Sequence, residues 1–459
     1  MIHTNDEATA QAWSALGGRP ELLDRVSYEG AAGVLPARLP VRELARATVG
    51  ACSLAAAELL ALRDAGSGPV ARVRVHEGAV ATAFVSERHL RIDGRAPTTF
   101  APLSGFWRTA DGWVRTHANY PHHRARLLSA LGLPDHTGDD DTLPRILADE
   151  LAKSQAQEVQ ESVYAAGGLA VAVADAPWDT RLPLVETQVT GDNGPRTTLP
   201  PSPLPATGVR VLDLTRVIAG PVASRTLALL GADVLRVDAP QLPESADAHA
   251  DTGMGKRSTL LDFSAPGDRD RFEELLRTAD VVMTGYRPGA LDQYGLAPDA
   301  LLSRRPDAIV AQLCAWGWDR SGPWAGRRGF DSLVQAASGI AAIEAAADGT
   351  PGALPAQALD HGTGYLLAAA VLRALSDRQT HGGGRHVRLS LAGAASWLLH
   401  GIRPAPIEGE AYTPQPWLTR TASPYGLLDH ALPPVHYEGS PRNWSHPPTR
   451  WGKDRPLWT

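Results

Sequence analysis

Three observations on the sequence predict an α/β fold, a Rossmann-like parallel sheet domain with a smaller α+β domain. Between Val209 and Leu313, short buried-type strands alternate with helical stretches, the pattern of a parallel sheet with crossover helices. Between Pro102 and Val173, two strand-like runs meet at Asp111-Gly112, a hairpin-turn dipeptide, ahead of helices and a further strand. A helix–turn–strand unit also occurs twice, at an offset of 315 residues: Leu39-Pro40 recurs as Leu354-Pro355, Leu44 as Leu359, Thr48 as Thr363 and Arg63 as Arg378. At one position the copies differ in chemistry, with Ala45 standing where the second has Asp360.

A chain of 459 residues exceeds one ordinary core, so several domains are expected. The charge is slightly acidic, −6, and cations are scattered without a Lys/Arg-rich block, which argues against a nucleic-acid partner. The two cysteines, Cys52 and Cys314, fall outside any metal-ligand spacing, so a reducing compartment and no metal are expected. The N-terminus has neither the cationic start nor the apolar stretch of a signal peptide. The longest apolar run, Thr48 to Leu62, is broken by Glu58 and reads as too short for a bilayer. A cytoplasmic protein without membrane contact is the expectation.

In chain order, residues 1–89 read as a helical segment ending in the acid-free copy: an Ala-rich helix from Leu39, a Gly66-Ser67-Gly68 turn and the alternating strand Ala71 to His76. Residues 90–186 read as the small α+β domain, with helices over His122–Leu131 and Leu143–Tyr164, an acidic loop at Asp135–Asp141 and the strand Leu169–Val173. Pro, Gly and Thr dominate 187–207, which reads as a linker. Residues 208–400 read as the sheet domain. Its strands are Val209–Leu214, Ala232–Val237, Ser258–Asp262, Val281–Thr284 and Ile309–Leu313, followed by the second helix copy over Tyr365–Leu375 and the strand His386–Leu391. Residues 401–459, rich in Pro and Trp, read as a tail wrapped over a surface.

A sheet of this kind first suggests a nicotinamide enzyme, and Asp238 ends the second strand as a ribose-binding acid does. The first turn, Thr215-Arg216-Val217-Ile218-Ala219-Gly220-Pro221, however, lacks the G-x-G-x-x-G that brings backbone against a pyrophosphate. Cations follow the strands instead, at Lys256-Arg257, Arg287 and Arg327-Arg328. Singly, each suits a solvated surface; together they suit a ligand with several phosphates. Asp360, ahead of the second helix run, is either a helix cap or a nucleophile held where backbone N–H groups stabilise an oxyanion.

The ordered set Gly208-Val209-Arg210-Val211-Leu212-Asp213-Leu214-Thr215-Arg216-Val217-Ile218-Ala219-Gly220-Pro221, Leu230-Gly231-Ala232-Asp233-Val234, Gly255-Lys256-Arg257-Ser258, Tyr286-Arg287-Pro288-Gly289, Gly329-Phe330-Asp331 and Asp360 resembles the family III CoA-transferases, the CaiB/BaiF family. The resemblance is strong over roughly 207–400, and 39–185 look like the family's helix-plus-small-domain half. It implies that Asp360 attacks an acyl-CoA thioester and comes to carry an aspartyl-CoA thioester, from which an acceptor acid takes CoA. It further implies CoA contacts at Val217, Ile218 and Ala219, phosphate contacts at Lys256, Arg257 and Arg287, and Arg328 and Phe330 near the thioester. Coenzyme A then enters as part of the substrate, with no permanently bound cofactor, and the partners are an acyl-CoA and a carboxylic acid. Related acyl-CoA racemases place a histidine directly before the aspartate of the Gly329-Phe330-Asp331 motif; Phe330 stands there and cannot exchange a proton. A usual subunit of the family interlocks with a second as rings. Here the halves are rearranged, which leaves open a monomer with one site, an interlocked homodimer, or a non-catalytic acyl-CoA-binding relative.

Overall fold

The computed structural model describes residues 2–3, 6–63, 68–98, 100–135, 142–190, 197–319, 322–407 and 409–459. Most of the acidic loop (136–141), the Gly66-Ser67 part of the first glycine turn and residues 191–196 of the expected linker lie outside the described residues.

The first repeat copy comprises helix α1 (Val41–Arg63), strand β1 (Val73–His76) and helix α2 (Glu77–Ala83), followed by the short helix α3 (Ser86–His89). Alanine, with a small side chain and the highest helix propensity, fills α1 and permits close packing on every side. At 23 residues α1 is longer than the apolar run read from the sequence and long enough to cross a bilayer. It is instead enclosed by protein, with Ala45, Val49, Cys52 and Leu59 all at 0% exposure.

The small domain pairs β2 (Phe106–Arg108) with β3 (Trp113–Thr116) around the Asp-Gly turn, and β3 with β4 (Ala170–Ala172). Helix α4 (Pro121–Ala130) and two further helices cover one face. The single helix expected over Leu143–Tyr164 is two, Leu143–Leu151 and Ala156–Ala165. The hairpin turn docks into the break: Asp111 accepts the Ala156 N–H at 2.9 Å, and the Ser154 carbonyl accepts the Ala110 N–H at 2.9 Å. A side-chain acceptor from outside the helix starts the second segment.

Strand β5 (Glu186–Thr190) falls in the stretch expected as a linker. The sheet domain follows: β6 (Arg210–Leu214), helix α5 (Ala219–Leu229), β7 (Asp233–Asp238), β8 (Arg257–Leu260), β9 (Val281–Thr284), β10 (Ile309–Cys314), helix α6 (Asp331–Ala337), and the second repeat copy, α7 (Ala358–His381), β11 (Gly384–Ser390) and α8 (Leu391–His400). Their order is β8-β7-β6-β9-β10-β11-β5, parallel throughout except for β5, which pairs antiparallel with β11. This is the doubly wound Rossmann-like order with an added edge strand. The order reverses between β6 and β9, so the crevice opens at the turns after these two strands, at Thr215–Ala219 and at Gly285–Ala290.

Helix α7 is sandwiched between α1 and α5. Glycines make this possible. A Cβ on Gly362 would lie 2.7 Å from Leu44 of α1, and one on Gly364 would lie 2.5 Å from the Ala219 carbonyl of α5. The copies meet at equivalent positions, since Arg373 of α7 pairs with Glu58 of α1 at the repeat's own offset of 315. The homologous end arginines also do homologous work: Arg63 donates to the Pro200, Pro205 and Thr207 carbonyls, and Arg378 to the Asp307 carbonyl and Asp280. Residues after 401 cross both halves. The hairpin of Leu418–Ser423 and Gly426–Ala431 pairs with Arg91–Ile92, while the indole N–H groups of Trp444, Trp451 and Trp458 donate to Arg225, Asp238 and Leu275. Each tryptophan is half-buried and satisfies its one polar atom.

Candidate active site

Asp360 does not cap its helix. The helix begins seven residues before the expected Tyr365, so Asp360 is its third residue; the cap position is Gln357, which makes no side-chain capping bond. The free N–H of Asp360 is taken instead by Asp331, the first residue of α6, at 3.0 Å. Asp331 also accepts from Gln335, whose carbonyl oxygen accepts the Leu354 N–H at 2.9 Å. The first turns of α6 and α7 are therefore locked together. The Asp360 carboxyl itself is buried (7% exposed) and has no hydrogen-bond or ion-pair partner among the described residues.

That environment raises the Asp360 pKa well above the ordinary carboxylate range, through burial first, then the charges of Asp331 and Glu87. Asp331 is pushed up to about 6, again by burial. Like charges at close range cannot all ionise in a dry site. Glu87, on α3, is held low: burial raises it, but its contact with His361 outweighs that. His361 Nε2 lies 3.7 Å from the Glu87 carboxylate, and its ring stacks on Phe84 at 5.2 Å. Both groups come from the acid-free half.

The small domain closes the other side. His117 stacks on Phe330 at 3.7 Å and 9°, and His123 meets the same ring edge-on at 5.8 Å. Burial pushes His117 and His123 down to about 3, so both imidazoles are neutral. Arg115 points from β3 into the same interface, between the rings of Phe106 and Phe100 at 4.8 and 5.8 Å. It forms no ion pair among the described residues, and its Nε is enclosed without an acceptor. Such cation–π contacts contribute roughly 0.5–2 kcal/mol each, short of the several kcal/mol that desolvating a charge costs.

Val217 lies in the first turn with a left-handed backbone, φ 72°. This is costly for a β-branched residue, about 1–3 kcal/mol, and concentrates at ligand-binding turns. Ile218 and Ala219 continue that turn into the N-terminus of α5, against which Gly364 packs. The turn therefore adjoins the helix that carries Asp360. Arg287 and Arg328 are exposed, without ion-pair partners among the described residues, and line one cleft of about 460 Å³ with Arg327, Tyr164 and Gly326. Arg126 donates to Gly167 on the rim of that cleft. Burial and the neighbouring charges of Arg287 and Arg126 hold the Arg328 guanidinium below its ordinary pKa.

Two expected phosphate ligands are elsewhere. Lys256 is buried inside the domain, with Nζ 3.1 Å from Asp213 and 2.8 Å from Ser224, and presents no charge to solvent. Burial pushes it down to about 8 against the pull of Asp213. Arg257 begins β8 at the amino end of the sheet, opposite the crevice, where it pairs with Asp233 at 2.7 Å and the Leu457 carbonyl at 2.6 Å. Adjacent cations before a strand look alike in sequence, but here one turns into the core and the other toward the far end. Sequence reasoning in turn missed Glu87, Arg115, His117 and Arg126, which lie in the N-terminal half, far along the chain from the motifs after the parallel strands. Among the described residues no cluster of His, Cys, Asp or Glu is arranged to hold a metal.

Residues 207–428 match the model of CoA-transferase family III. This part, a little under half of the chain, is similar to that family. The probable fatty acyl-CoA transferase Rv3272 of Mycobacterium tuberculosis is 37% identical over 191 residues, 39% of this chain and 48% of the relative. The succinate–glutarate CoA-transferase of Agrobacterium fabrum is 33% identical over 222 residues, 44% of this chain and 55% of the relative. A CaiB/BaiF family protein from Brucella suis has a crystal structure that aligns with a TM-score of 0.40 at 27% identity, over 49% of this chain and 65% of that one. The chain thus spans about half the length of the curated relatives it matches. Of the arginines that line the cleft, Arg327 pairs with Glu161, whereas Arg287 and Arg328 have no ion-pair partner among the described residues. Replacing both with alanine is expected to weaken binding of coenzyme A about 10–100-fold by calorimetry, and to flatten its dependence on salt.

Proposed function

We propose that the protein moves CoA from an acyl-CoA donor to a carboxylic acid, with Asp360 as the nucleophile. The observation that carries this reading is the unpartnered, buried Asp360 carboxyl in a turn held by Asp331, on the helix that packs against the strained Val217–Ala219 turn. A carboxyl kept for helix stability would cap or pair; this one does neither.

The Asp360 carboxylate attacks the thioester carbonyl, and the C–S bond breaks to give a mixed anhydride and CoA thiolate. The thiolate attacks the aspartyl carbonyl, releasing the donor acid and leaving an aspartyl-CoA thioester. An acceptor carboxylate and the liberated thiolate then repeat these steps in reverse order, which restores Asp360. No proton is consumed across the cycle. Asp360 must nevertheless be ionised to begin it, so the raised pKa of the Asp331–Asp360 pair supplies a basic nucleophile that is present in a limited fraction at neutral pH. The chain's own N-terminal half supplies Glu87, Arg115 and His117, so one chain completes one site. Coenzyme A enters as substrate, and the two free, buried cysteines suit a reducing cytoplasm.

Hydroxylamine added during turnover should convert Asp360 to a hydroxamate detectable by peptide mass spectrometry, in proportion to acyl-CoA. Sustained CoA exchange with Asp360 unmodified would sink the reading.

A further inference from the structure

The first turn of α7 is held from two directions. Asp331 takes the Asp360 N–H, and the next residue, His361, packs its ring on Phe84 and turns Nε2 toward Glu87. His361 is enclosed (1% exposed), and neither of its ring nitrogens has a hydrogen-bond partner among the described residues. The Glu87 Oε2 that faces Nε2 at 3.7 Å is enclosed and unbonded as well. A contact of that length is short of a hydrogen bond and contributes little to the fold. Yet Glu87 is firmly placed. Its neighbour Ser86 donates to Asp251 at 2.8 Å and accepts from Arg225 at 3.3 Å, which pins α3 to α5. Most other charges nearby are engaged elsewhere: Arg225 with Asp251, Arg42 with Glu43, and Arg46 with Asp6 and Glu77. Arg88 lies 3.6 Å from Glu87 but is half exposed, and His89 follows it on α3. His361 also faces Asp331.

We infer that Glu87 is a positioning residue: through His361 it fixes the turn that carries Asp360 and keeps a negative charge beside the nucleophile. The inference rests on the transferase reading above and gives the acid-free half a part in the reaction. Glu87 raises the pKa of Asp360, and the His361 contact is what keeps Glu87 ionised against burial. A carboxylate attacks more readily as its basicity rises. Without the Glu87 charge, Asp360 ionises more easily and reacts more slowly once ionised.

The test is the pH profile of kcat/KM for CoA exchange by the full-length chain in Glu87→Gln, His361→Phe and the double variant. Glu87→Gln removes the charge outright. His361→Phe keeps a ring to stack on Phe84 but strips Glu87 of the contact that holds it ionised, so Glu87 takes up a proton. Each single variant should move the acid limb to lower pH and reduce the alkaline plateau about 3–10-fold. The double variant should match the singles rather than multiply them, and Glu87→Asp should retain part of the native profile. An unmoved acid limb, or effects that multiply, overturns the inference; if one single variant does not fold, the other carries the test. A second readout needs no turnover. Asp360→Asn should melt above the native chain at pH 8, and that difference should narrow when both chains carry Glu87→Gln, because Asp360 then ionises in the fold at less cost. If no acid exchanges CoA, the transferase reading fails; a narrowed difference still supports the role of Glu87, and an unchanged one overturns it.

Discussion

An Asp360→Asn chain should melt several degrees above the native chain at pH 8, while losing CoA exchange on the order of 10⁴-fold. The stabilisation follows from the raised native pKa of Asp360, caused by burial, Asp331 and Glu87. Below the unfolded value near 3.8 the carboxyl is protonated in both states, and the two chains should melt together. Above it, the unfolded chain releases a proton that the folded site retains, so native stability falls as pH rises. Asparagine bears no such cost. The gap in melting temperature should therefore open from about pH 4 and widen through the Asp331 titration near 6. The same pair makes native exchange accelerate with pH over its titration. A gap independent of pH in calorimetric melts would show that Asp360 is not the strained acid described.

Lys256→Met should cost about 3–5 kcal/mol of stability, because it strands Asp213 as an unpaired charge in a fully buried ion pair. Denaturant unfolding measures this directly. The companion change Asp213→Asn in the Lys256→Met background should restore much of the loss, since an apolar or neutral pair avoids the desolvation of two ions. A Lys256→Met chain that retains full stability but binds coenzyme A with a reduced salt dependence would instead return Lys256 to the phosphate site.

These two residues also mark how far the sequence could be read. Asp360 stands out because its motif is local, an acid, two glycines and an alanine-rich helix within one window, but that window suits a helix cap as well as a nucleophile. The parallel strands, the Asp-Gly hairpin and the repeat were legible for the same reason. Lys256 shows the limit. A cation after glycines and before a strand reads as a phosphate ligand, and only the approach of Asp213 and Ser224 from 43 and 32 residues away turns it inward. Strand β5 was hidden by its exposed edge position, with a polar Glu-Thr-Gln-Val-Thr sequence that pairs but buries little. The start of α7 was hidden because Asp360, His361 and the two glycines look like a loop until α1 and α5 are pressed against them. Arg115 gave no signal at all: it alternates with Val114 and Thr116, which face the small domain's own core, so it reads as the solvent face, and the packing of α6 half-buries that face.

The pairing of Glu58 with Arg373 carries one further consequence. A contact between equivalent positions of two copies is ordinarily made when separate molecules meet about a two-fold axis, and it is then governed by mass action. Here both copies lie on one polypeptide, so the encounter is intramolecular and its effective concentration is set by the connecting chain. The surface that would otherwise require a second molecule forms at any dilution. Selection acting on the two copies is also uncoupled, because a substitution in one is not repeated in the other. Ala45 and Asp360 can diverge only under that freedom.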